Sequence, residues 1–253
     1  GEDRAPADVS GVLVDTVELY SQLGNSWSTL AGTLLARKKH TATLLGNGNV
    51  LVVGGTTSSG ATNSVQVFTP AMVSWQNVGN LITARTGHTA TLLGDGTVLV
   101  VGGQTTGDTY LASAERCDPV SGTWPAVARM AAAREGHTAT LLANGQVLIA
   151  GGTTNGGTYL ASAEVYDPSN GSWSAAAPMD TARVMHTATL LPSGLVLVTG
   201  GFDGTTTLDS AALFNPNGAT WAAASSMHSP LHAHTATPLT DGTVLVAGYR
   251  PAC

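Results

Sequence analysis

Charge is scarce in this chain. Lys, Arg, Asp and Glu make up 10% of its 253 residues, against about 25% in an average domain. The balance of 10 basic to 16 acidic residues, net −6, runs against a protein that binds nucleic acid by neutralising phosphates. Two cysteines, Cys117 and Cys253, are too few for a disulfide scaffold. No apolar run approaches the roughly 18 residues of a membrane-spanning helix. No basic segment followed by an apolar one opens the chain as a secretion signal would. What is abundant is turn chemistry: 31 glycines and 11 prolines exclude a coiled coil or a helical bundle. Hydrophobic content of 43% suffices for a sizeable core in one large domain or two small ones.

The dominant feature is an internal repeat. His-Thr-Ala-Thr begins at His40, His88, His137, His186 and His234, in steps of 48, 49, 49 and 48 residues. Trp27, Trp75, Trp124, Trp173 and Trp221 step by the same intervals. Glycine pairs follow at Gly54-Gly55, Gly102-Gly103, Gly151-Gly152 and Gly200-Gly201; the fifth copy reads Gly248-Tyr249. Each unit reads as four short strands. The first is His-Thr-Ala-Thr with its apolar tail. A tight turn such as Asp95-Gly96 or Asn144-Gly145 follows, suited to the positive φ of a hairpin. The second is a continuous apolar run, as in residues 147–150, expected to be buried on both faces. The third carries Tyr20, Phe68, Tyr166 or Phe214, with Cys117 as the exception and therefore expected buried and inert. The fourth carries the tryptophan.

Four marks recurring in this order resemble the kelch repeat. The resemblance implies an all-β fold, a five-bladed β-propeller of four-stranded blades. The blades span about 31–78, 79–127, 128–176, 177–224, and 225–253 completed by 11–30. The last blade joins strands from both termini, which closes the ring and removes open sheet edges.

In kelch propellers ligands usually meet the face formed by the loops before the first strand and after the second. Candidates there are Lys38, Lys39, Arg85, Arg134, Glu135, Arg183, His232, Tyr249 and Arg250. Arg37, Arg85, Arg134 and Arg183 each stand three residues before a repeat histidine, and nineteen residues before them stand Glu18, Gln66, Glu115 and Glu164. Where the acid slot holds Ala212, the arginine slot nineteen on holds Leu231. This reads as a structural pair bridging successive repeats, with the five tryptophans as further structural positions. His228, His232 and His234 form a corner competent for a divalent metal such as zinc or copper. The loops after the second strands are rich in Thr, Ser and Gly and carry Tyr110, Tyr159 and Phe202, suited to a peptide or glycan.

No catalytic motif is legible. The preferred reading is a binding module without a cofactor, secreted or periplasmic and bacterial, recognising a protein, peptide or glycan on the loop face. The alternatives are a metal-dependent enzyme at the histidine corner, or a propeller enzyme such as an oxidase or a glutaminyl cyclase-like transferase.

Overall fold

The computed structural model describes Leu13, residues 15–30, Gly32 and residues 35–248. Tyr249, Arg250 and Cys253 lie outside the described residues.

Four four-stranded antiparallel sheets follow one another, each in plain meander order. Blade I comprises Thr41–Leu44, Val50–Val53, Ser64–Thr69 and Ser74–Asn80. Blade II comprises Thr89–Leu92, Val98–Val101, Ala114–Cys117 and Ala126–Val127. Blade III comprises Thr138–Leu141, Val147–Ala150, Ala163–Asp167 and Ser172–Ala176. Blade IV comprises Thr187–Leu190, Val196–Thr199, Ala211–Asn215 and Thr220–Ala224. A hairpin flanks the set at each end: Val17–Ser21 with Ser26–Leu30, and Thr235–Pro238 with Val244–Ala247.

Local chemistry sets each strand pair. In the first hairpin of blades I, II and III, Asn47, Asp95 and Asn144 accept the N–H two residues on, and the glycine between has φ of +82 to +85°. The second strand is the centre of each sheet. Val98–Val101 and Val147–Ala150 are buried throughout, and they pack on neighbouring blades in apolar clusters.

Glycine and tryptophan contacts join blade to blade. The second glycine of each pair donates to the carbonyl of the next blade's arginine slot, Gly55 to Arg85, Gly103 to Arg134, Gly152 to Arg183 and Gly201 to Leu231, at 2.8–2.9 Å. The first glycine lets that contact close. A Cβ at Gly102 would stand 2.6 Å from the Arg134 carbonyl oxygen and 2.7 Å from His137 Cε1. The tryptophan reaches back as well: Trp124, Trp173 and Trp221 donate to the carbonyls of Val78, Ala128 and Ala177.

The pairing expected between the two terminal hairpins is not made in this structure. Each is a separate two-stranded sheet. The first strands touch in succession from blade I to the C-terminal hairpin, and among the described residues the last makes no comparable contact with that of blade I. As a result Trp27 is 68% exposed, whereas Trp124 is 7% exposed.

Candidate functional site

The residues just before the repeat histidines lie together at one end of the inner strands. Lys39, Gly87, Gly136, Met185 and Ala233 all adopt positive φ, between +50° and +65°. Backbone bonds link Gly87 N to Lys39 O, Met185 N to Gly136 O and Ala233 N to Met185 O. The residue before each of the first four bridges to the loop after its blade's second strand: Lys38 to Thr56, Thr86 to Gln104, Glu135 to Thr153 and Val184 to Phe202. The two loop sets expected to share a face are thus stitched together.

Two clusters stand on that face. In the first, Lys39 Nζ of blade I donates to Glu135 Oε1 of blade III at 3.0 Å. The ion pair passes over blade II because the residue between is glycine: a Cβ at Gly87 would lie 2.3 Å from Glu135 Oε1. Tyr110 lies beside this pair. Burial, with Glu135 and then Asp108 nearby, raises its phenol above the ordinary tyrosine value. In the second, Tyr159 and Phe202 meet edge to face at 5.6 Å, and Phe202 lies 6.2 Å from the His232 ring. His232 Nδ1 is held by the Thr207 hydroxyl at 3.0 Å. Together they form a polar, partly charged mouth at one end and an aromatic wall on the other. Lys38 and Lys39 are the only lysines of the chain and both are exposed.

Other candidates are placed elsewhere. Arg85 and Arg134 are 0% exposed and Arg183 2%, so they do not present guanidinium groups to the loop face. Arg85 Nη1 donates to Gly102 O and Ser113 O, and Nη2 to Glu115 Oε1 at 2.8 Å. Arg134 repeats this with Gly151, Ser162 and Glu164. The pairs therefore run within one blade, thirty residues forward in sequence, rather than nineteen back across blades. Arg37 takes Gln66 instead, and Glu18 is exposed on the N-terminal hairpin. The correction has a simple cause: the third strand that carries the acid lies in the same sheet as the first strand that the arginine precedes.

The histidine corner also resolves differently. His234 is buried, and its Nε2 pairs with the hydroxyls of Thr187 at 3.0 Å and Thr199 at 3.2 Å. His232 turns to Thr207 and Phe202. Among the described residues no group of three His, Cys, Asp or Glu side chains could hold a metal. The repeat histidines serve the fold: His88, His137 and His186 bind the hydroxyls of Thr41, Thr89 and Thr138 of the preceding blade at 2.9–3.0 Å. Cys117 is buried, and burial pushes its thiol well above the ordinary value.

An all-β chain of successive four-stranded antiparallel sheets, built on this repeat, is a kelch-type β-propeller. The family model of the KLHDC2/KLHL20/DRC7 Kelch-repeats domain matches residues 39–248. The chain belongs to the kelch-repeat family, whose domains are generally protein-binding modules. No curated protein matches it at a significant level. No described helix is long and apolar enough to cross a membrane.

Proposed function

We propose that this propeller binds an extended peptide segment of a partner protein across the face formed by these two loop sets. The carrying observation is the juxtaposition there of the Lys39–Glu135 pair with the aromatic wall of Tyr159, Phe202 and His232. The charges would orient a peptide and the rings would stack on its side chains, as in interface hot spots. The scarcity of lysine and the abundance of threonine, glycine and alanine favour an exported bacterial protein.

In this reading the ring closes as five blades. Shifted by one repeat, the register of blade I (Val50 opposite Phe68, Val53 opposite Val65) sets Val244 opposite Tyr20 and Ala247 opposite Val17. Both strands have a free edge, and closure would cover Trp27, Tyr20 and Leu245, all exposed now.

Peptide-display selection on the intact chain tests the site. Selected peptides should lose about tenfold or more in affinity for Phe202→Ala and for Glu135→Ala, the range of an interface hot spot. They should also protect Lys38 and Lys39 from acylation. Undiminished binding to both variants would place the contact elsewhere.

A further inference from the structure

Arg183 differs from its three counterparts in one respect. Arg37, Arg85 and Arg134 each donate from Nη2 to a side-chain acceptor on the third strand of their own blade: Gln66 at 2.7 Å, Glu115 at 2.8 Å and Glu164 at 2.8 Å. In blade IV that register position is Ala212. It lies between Val198 and Ala223, as Glu115 lies between Val100 and Ala126. Arg183 keeps its bonds to Gly200 O, Ser210 O and Ser210 Oγ. No carboxylate of the described residues lies within 4.0 Å of it. A guanidinium 2% exposed thus sits without a counter-charge, an arrangement that is costly in a protein interior.

A second vacancy coincides with the first. The Glu115 carboxylate also accepts from the backbone N–H groups of Ile82 at 2.7 Å and Thr83 at 3.1 Å. Glu164 accepts from Ala131 at 2.7 Å and Ala132 at 3.3 Å. The matching positions before Arg183 are Asp180 and Thr181. Their backbone N–H groups find no acceptor among the described residues. By the geometry of the sister blades, two N–H groups and one guanidinium face a place where a carboxylate is missing and only the Ala212 methyl group intrudes. In blade III the corresponding place borders an open groove, which Glu164 lines with Ala112, Met130, Ala131, Trp173 and Ala175.

We propose that the cleft between Arg183, Asp180, Thr181 and Ala212 is a binding site for a small carboxylate, which stands where the glutamate carboxylate stands in blades II and III. The anion arrives free or at the tip of a partner's acidic side chain. Either way it accepts three charge-assisted or backbone hydrogen bonds that the chain leaves unmade.

Thermal unfolding of the full chain, titrated with sodium formate against sodium chloride at equal ionic strength, tests this. Formate should raise Tm saturably, by about 3–5 °C at ten times its Kd, and Ala212→Glu should abolish the response by supplying the carboxylate covalently. Should Ala212→Glu fail to fold, Glu164→Ala recreates the vacancy in blade III. Formate should then restore part of the Tm that variant loses. N-acetylglutamate amide acting as strongly as formate assigns the site to an acidic side chain, and formate acting alone assigns it to a free ion. A Tm unmoved by formate in both the parent chain and Glu164→Ala overturns the proposal, as does an equal rise in Ala212→Glu.

Discussion

At the scale of single residues, the buried histidines dictate how this protein meets acid. Burial, and next the Arg85 guanidinium, hold His88 down at about 3 against an ordinary 6.5, and burial with Arg183 holds His186 at about 3. His137 is lowered for the same reasons. The unfolded chain takes up protons on His88 and His186 below about pH 6.5, and the folded chain refuses those two until about pH 3. Stability is therefore fully present above pH 6.5 and falls by about 1.4 kcal/mol per pH unit per histidine between pH 6.5 and 3. Denaturant unfolding at pH 7.5, 6 and 5 should show a steep loss. A flat profile would mean that the imidazoles are hydrated. Each histidine donates or accepts at a threonine hydroxyl of the preceding blade, so protonation acts on the joints between blades.

At the scale of the element, the glycine pair is where one blade grips the next. Gly102 has φ of +65° and no room for a Cβ beside Arg134 and His137. Gly102→Ala should cost roughly 2–4 kcal/mol, from backbone strain and overpacking together, read as a fall in Tm. Gly96 also has positive φ, yet a Cβ there would meet nothing within 4 Å. Gly96→Ala should cost about 1 kcal/mol, and the contrast between the two separates turn strain from blade contact. Gly87 belongs to neither class. Its missing side chain clears the path between Lys39 and Glu135, so Gly87→Ala should part that ion pair and leave the fold in place, seen as faster acylation of Lys39.

At the scale of the whole molecule, the meeting of the ends decides the architecture. If the two terminal hairpins complete one blade, Leu19→Cys with Leu245→Cys in a background free of other thiols should be joined by a short bifunctional thiol reagent within one chain. Joining between chains only, or none, would leave the ring open. Closure would also tie both termini into one sheet, so that local fraying at either end must break the ring.

The sequence by itself determined the repeat, the four-stranded unit and its turns, because these depend on neighbours a few residues apart: Asp95 capping its own hairpin, Val147–Ala150 filling the middle of a sheet. It also marked Lys39, Glu135 and His232 as residues that escape the repeat. Only the tertiary structure decided which partners they meet. Lys39 and Glu135 are 96 residues apart, and the glycine that lets them touch carries no signal until the blades are set side by side. The same holds for the arginines. Spacing alone pointed nineteen residues back, and strand order within a sheet put the partners of Arg85 and Arg134 thirty residues forward instead. That placement exposed Arg183 as the one buried arginine opposite an alanine. The histidine corner failed as a cluster for the converse reason: closeness along a chain does not aim side chains at a common point, and strand alternation and loop turns sent His234 inward to threonines and His232 to an aromatic ring.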